Sequence, residues 1–175
     1  MIKKLFIHRS LPEMYNIDVG DDNKIYTEAS GKKDGIPVIF VHGGPGGQCR
    51  SEHHSLFNPQ IFRSIIFDQR GCGKSIPYRS LEGNNTENLV EDIEKIRDFF
   101  KIKKFLIVGG SWGATLAIKY ALKFPKNLIG VLLRSVFLGT INEINWAFID
   151  GPKNFAPNLY KTCLLYTSPS PRDSD

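Results

Sequence analysis

The feature that most constrains this chain is the stretch at residues 106–117. An apolar, β-branched run enters a pair of glycines. A serine, a tryptophan and a third glycine follow, and then an alanine-rich amphipathic segment. That order predicts a buried strand, a sharp turn and a helix. Within it, Gly109-Gly110-Ser111-Trp112-Gly113 fits the G-x-S-x-G pattern of a nucleophile elbow. A serine on so tight a turn needs a strained backbone, and small residues two places before and after it let strand and helix approach. The helix N-terminus behind it offers unpaired N–H groups and the positive end of a dipole where an oxyanion would form. A glycine-rich turn can carry such a pattern by chance. The position at a strand–helix junction is what makes Ser111 the candidate nucleophile.

The remaining segments build around that turn. Residues 14–19 and 24–29 alternate and flank the polar turn Gly20-Asp21-Asp22-Asn23, which predicts a hairpin. Residues 36–41 are continuously apolar, as in a strand buried on both faces. They run into His42-Gly43-Gly44-Pro45-Gly46-Gly47, a loop that brings backbone N–H groups close to a ligand. Neither phosphate-loop spacing is met there. Gly73-Lys74-Ser75 also fails, because the required upstream glycine position holds Asp68. The better reading is an H-G-G-x loop that supplies one oxyanion N–H. A strand at residues 64–67 ends in a polar, glycine-containing turn, where Asp68 and Arg70 read as loop-tying groups rather than catalytic ones. Asn84-Asn85-Thr86-Glu87 starts a helix with an apolar face of Leu89, Ile93, Ile96 and Phe100. A strand at 104–108, a helix at 115–123 and a strand at 128–133 follow. The order β-β-β-α-β-α-β-α-β predicts an α/β fold, a mostly parallel sheet with helices on both faces. His42, Asp68, Ser111 and Arg134 all fall just past strand carboxyl ends, where such sheets bind ligands.

With 175 residues the chain is long enough for one domain with a real core. The net charge of +5 comes from scattered lysines with no aromatic interleaving, which argues against a nucleic-acid partner. No apolar run approaches membrane-spanning length, so no membrane association is expected. The first seven residues start like a signal peptide, but His8-Arg9-Ser10 cuts the apolar run short. Three cysteines without a C-x-x-C pattern fit a reducing, cytoplasmic setting. The sequence carries no metal-ligand cluster and no cofactor motif.

The chain resembles the proline iminopeptidases, serine peptidases of the α/β-hydrolase fold. The residues that carry the resemblance are the loop at 42–47, Phe67-Asp68-Gln69-Arg70-Gly71-Cys72-Gly73-Lys74-Ser75, the run at 85–97, the elbow, and Leu133-Arg134. Trp112 and the turn after Phe67 separate it from general esterases. The resemblance extends over residues 14 to 160. It implies removal of an N-terminal proline from peptides, with Ser111 as nucleophile and the N–H groups of Gly44 and Trp112 as oxyanion hole. It also implies that Arg134 and Phe137 line the substrate pocket, an aromatic face suiting a proline ring and a charged network a free imino terminus. Ser135 and Ala147 depart from the family pattern, which has glycine after the arginine and an aromatic after Trp146.

A serine triad in this fold needs an acid and then a histidine after the serine. His8, His42, His53 and His54 all precede Ser111, and Asp150 sits in what reads as the first cap segment. The expectation is therefore an N-terminal part of a longer enzyme: hydrolase core over residues 1–137, the beginning of a helical cap over 138–162, and a non-native, adapter-derived tail over 163–175. Such a piece should be inactive for want of triad Asp and His, and its open sheet edge should favour aggregation. The alternatives are another α/β-hydrolase, an esterase or amidase, or a non-catalytic binding module of the same fold. Oligomeric state is not legible.

Overall fold

The computed structural model describes residues 6–167 and divides into two compact units between Phe137 and Leu138. The first unit is built on six strands: β1 (Glu13–Asp18), β2 (Lys24–Gly31), β3 (Ile36–Val41), β4 (Phe62–Phe67), β5 (Phe105–Ser111) and β6 (Leu128–Val136). Two helices accompany them, α1 (Thr86–Phe99) and α2 (Trp112–Lys123). The sheet order is β1-β2-β4-β3-β5-β6. β1, β2 and β4 pair antiparallel, while β4, β3, β5 and β6 run parallel. Four parallel strands side by side place their carboxyl ends along one edge, and the segments after β4, β3 and β5 meet there.

Alternation along the strands divides the sheet into two different faces. Ile25, Ala29, Ile39, Val41, Ile65, Phe67, Phe105 and Ile107 turn to one side. They bury against Leu89, Val90, Ile93 and Ile96 of α1 and Leu116, Ala117 and Tyr120 of α2. Each fully buried leucine or isoleucine adds about 1.5–3 kcal/mol, so this face holds the unit together. The Asn85 side chain caps α1 by accepting the Asn88 N–H at 2.9 Å. The other face, with Tyr26, Glu28, Ser30 and Ser64, meets the short 3-10 segment Ser51–Leu56 through His54. The expected helices on both faces thus take an uneven form, two α-helices on one side and a 3-10 turn on the other. The α-helix implied between the third and fourth strands is replaced by that turn. The helix after the elbow starts at Trp112, three residues earlier than the sequence reading placed it.

The second unit is helical: α3 (Ile141–Asn145), a π-helical turn (Trp146–Asp150), α4 (Gly151–Phe155) and α5 (Pro157–Thr167). Thr140 and Glu143 form a reciprocal capping box at its entry, with the Thr140 N–H donating to Glu143 Oε2 at 3.1 Å. Trp146 and Phe155 meet edge to face at 6.0 Å. α5 runs on through residues 163–167, the first part of the segment expected to be a non-native tail. Residues 168–175 of that tail, and residues 1–5 of the leader comparison, lie outside the described residues.

Candidate active site

Ser111 is the last residue of β5 and the N-cap of α2, with φ 55° and ψ −124°. That is a costly conformation for a residue with a side chain, and it persists because close packing enforces it. A Cβ added at Gly113 would lie 2.2 Å from the Val41 carbonyl oxygen, and one at Gly109 would lie 2.2 Å from the Gly113 carbonyl oxygen. The two elbow glycines therefore let β5, α2 and the end of β3 touch backbone to backbone. Ser111 itself is exposed at the strand ends.

The loop after β3 lies directly against the elbow. A Cβ added at Gly43 would be 3.3 Å from Ser111 Cβ and 2.9 Å from the Gly110 carbonyl oxygen. Gly44 has φ 143°, a value open to glycine but not to other residues. His42 is buried, and its ring is fully engaged within the loops. Nε2 accepts the Gln69 backbone N–H at 3.0 Å, and Nδ1 donates to the Gly43 carbonyl at 2.8 Å. Burial holds its pKa below the usual histidine value. With both nitrogens so occupied, His42 is a loop support and not a base for Ser111. The other histidines are tied to Ser30 and Phe57 (His8), the Arg50 N–H (His53), and Ser64 with Glu28 3.5 Å away (His54).

The loop after β4 bears out its reading as a tied polar turn. Asp68 Oδ1 accepts the Cys49 N–H at 2.6 Å and Oδ2 the Lys74 N–H at 2.8 Å, while its carbonyl accepts the Ser75 hydroxyl at 2.6 Å. Arg70 forks onto Asp92 of α1 at 2.7 and 3.0 Å, with both side chains buried, and reaches Asp21 of the hairpin turn at 3.0 Å. Between them, Gln69 is buried too. Its side-chain amide donates to the His42 carbonyl at 2.8 Å, and its oxygen accepts the Trp112 indole N–H at 3.2 Å. The sequence assigns no role to Gln69, Asp92 or Thr115, because nothing in local spacing marks a partner several elements away.

β6 carries the remaining candidates. Its register against β5 shifts between Gly110↔Arg134 and Ser111↔Val136, leaving Ser135 as a bulge with φ 48° opposite the nucleophile. A left-handed backbone favours glycine, so Ser135 holds this conformation under strain. Arg134 is exposed beside Gly110, whose added Cβ would meet Arg134 Cβ at 4.0 Å. Phe137 is half-buried, and its carbonyl accepts the Thr115 hydroxyl. A cleft of about 680 Å³ beside the elbow is lined by Pro45, Gly46, Gln69, Tyr78, Leu81 and Trp112, among others. Among the described residues no cluster of three or more His, Cys, Asp or Glu is placed to hold a metal, and no helix is long and apolar enough to cross a membrane.

A mostly parallel sheet with a strained serine at the end of β5, flanked by a glycine loop, defines a class. Residues 36–149 match the α/β hydrolase fold family, and the chain belongs to it. Within that class the similarity narrows to one group of peptidases. The chain is 44% identical over 146 residues to a proline iminopeptidase of Arabidopsis thaliana, and 48% identical over 130 residues to one of Neisseria gonorrhoeae. These matches cover 83% and 74% of this chain but 38% and 42% of those proteins, so the chain spans about two fifths of their length. In structure it resembles a proline iminopeptidase-related protein of Thermus thermophilus, with TM-score 0.61 and 28% identity over 71% of this chain and 44% of that one.

Proposed function

We propose that this chain carries the nucleophile and oxyanion loop of a serine aminopeptidase that releases N-terminal proline from peptides. The observation that carries the reading is Ser111 at φ 55° on the elbow, in contact with the Gly43-Gly44 loop, in a chain 44–48% identical to proline iminopeptidases. Ser111 Oγ attacks the prolyl carbonyl, and the N–H groups of Gly44 and Trp112 receive the developing oxyanion. Collapse of the tetrahedral adduct leaves a prolyl ester on Ser111 and frees the shortened peptide as an amine, and water then hydrolyses the ester. No residue of this chain is assigned as the general base, since His42 is committed to its loop. Arg134 and Phe137, at the end of β6, flank the proline ring and the peptide N-terminus. The helical segment from Leu138 is read as the beginning of a cap, and the free thiols of Cys49 and Cys72 fit a cytoplasmic setting.

The test compares hydrolysis of a proline arylamide with that of a short acyl ester by the complete protein, and labels it with a serine-directed phosphonate. The arylamide is expected to be the better substrate, with label on Ser111 and a loss of at least about 10³-fold in Ser111→Ala. Ester turnover without arylamide turnover makes the protein an esterase. Absence of label makes it a non-catalytic member of the fold.

A further inference from the structure

We infer that Gln69 is a positioning residue that sets both backbone donors of the oxyanion hole, one through His42 and the other through the Trp112 indole. The inference rests on the serine-hydrolase reading above.

The Gln69 backbone bond fixes the His42 tautomer, and the Gln69 amide nitrogen 3.2 Å from His42 Nδ1 is then a close approach of two donors and not a hydrogen bond. The Gln69 backbone N–H can only donate, so His42 Nε2, 3.0 Å away, carries the lone pair. A neutral imidazole then has its proton on Nδ1, which donates to the Gly43 carbonyl at 2.8 Å. The burial that lowers the His42 pKa keeps the ring in this neutral form. In a planar trans peptide, the Gly43 carbonyl and the Gly44 N–H point in opposite directions. Fixing the carbonyl on His42 turns the Gly44 N–H away from the imidazole. That N–H makes no backbone hydrogen bond among the described residues and is left free on a loop that packs against Ser111.

The Gln69 side chain carries the second half of the link. The Trp112 indole N–H only donates and the His42 carbonyl only accepts, so the amide oxygen must face the first at 3.2 Å and the amide nitrogen the second at 2.8 Å. One side chain thus ties the residue that opens the glycine loop to the residue whose own N–H is the second donor. Gln69 is 2% exposed, so these bonds act in a low dielectric, where they are strong and directional. Its neighbours hold it in place: Asp68 clamps the loop through Cys49 and Lys74, and Arg70 anchors it on Asp92. Preorganised donors are what an oxyanion hole requires, since a donor that must reorient during reaction loses most of its effect.

The decisive variant is Gln69→Met in the complete protein, which keeps the length and removes the two side-chain hydrogen bonds, to the His42 carbonyl and the Trp112 indole, while the backbone bond to His42 Nε2 remains. Toward proline arylamide, kcat falls about 10²-fold with KM within about twofold. A proline-derived aldehyde, which forms a tetrahedral adduct, loses affinity by a similar factor, while free proline binds as before. Trp112→Phe removes only the indole bond and causes a smaller loss, and the double variant is no worse than Gln69→Met alone. Nitrogen-15 shifts of the wild-type His42 ring show the proton on Nδ1. The inference is overturned if kcat is kept, if aldehyde and proline affinities fall together, or if the His42 proton sits on Nε2. A wild-type protein that cleaves esters and not the arylamide overturns the peptidase reading alone, and Gln69 is then judged by the same kcat split on the ester. If neither substrate is turned over, the His42 ring proton decides.

Discussion

Replacing Asp92 with alanine tests the clamp that holds the loop after β4. Arg70 and Asp92 are 2% and 1% exposed and share two bonds of 2.7 and 3.0 Å. Removing the carboxylate strands a buried guanidinium, and breaking a buried pair from one side costs about 3–5 kcal/mol. Asp21 remains 3.0 Å from Arg70 Nη1, but its side chain is 64% exposed and recovers little of the lost interaction. The lower end, about 3 kcal/mol, is therefore expected. At a urea m-value of about 2 kcal/mol/M that moves the unfolding midpoint of the complete protein down by about 1.5 M. Asp21→Ala should cost less than about 1 kcal/mol. The double change Arg70→Met with Asp92→Leu, which leaves no charge to bury, should return within about 1 kcal/mol of wild type. The reasoning is refuted if Asp92→Ala unfolds within 1 kcal/mol of wild type, or if the apolar double variant is as unstable as the single one.

Two further outcomes are expected. Gly113→Ala puts a methyl 2.2 Å from the Val41 carbonyl oxygen and 2.8 Å from that of His42. It forces α2 and the end of β3 apart by about 1 Å, and a shift of that size at a reacting centre costs about 10²-fold in rate. Rapid phosphonate labelling of Ser111 in this variant would contradict the close-packing account. Burial also pushes the His54 pKa down to about 4, among Glu28, His8 and His53, with Lys74 on the far side of Glu28. The unfolded chain takes up a proton near pH 6.5 that the folded chain refuses. The His54 contribution is therefore whole above that pH and is lost as pH falls toward 4, by about 3 kcal/mol at most. Urea midpoints at pH 7 and 4.5 should differ less in His54→Gln than in wild type, and an equal difference refutes the assignment.

The elbow and the loop after β3 were legible because glycine leaves a spaced, local trace where backbones must touch. Asp68 and Arg70 were legible as loop ties because a polar turn so rich in charge needs partners. The start of α2 was hidden by Gly113, whose low helix propensity moved the expected start to Thr115 although tertiary packing sets it at Trp112. The implied helix between β3 and β4 came from the regular alternation of α/β folds, but that connection is only the turn Ser51–Leu56. The strand order, with β3 between β4 and β5, could not be read because pairing is decided between distant segments. Gln69 was missed for the same reason. Its partners His42 and Trp112 lie 27 and 43 residues away, and a lone glutamine between two charged residues has no periodicity to betray it.

The chain has two tryptophans, and they fall one in each unit, Trp112 in the first and Trp146 in the second. The Trp112 indole is hydrogen-bonded to a buried glutamine that belongs to a different strand end. Its emission and its indole proton resonance therefore form a built-in optical and magnetic gauge of whether the strand-end loops have come together. With Trp146 changed to phenylalanine, that gauge follows assembly of the site alone, without substrate, inhibitor or added dye.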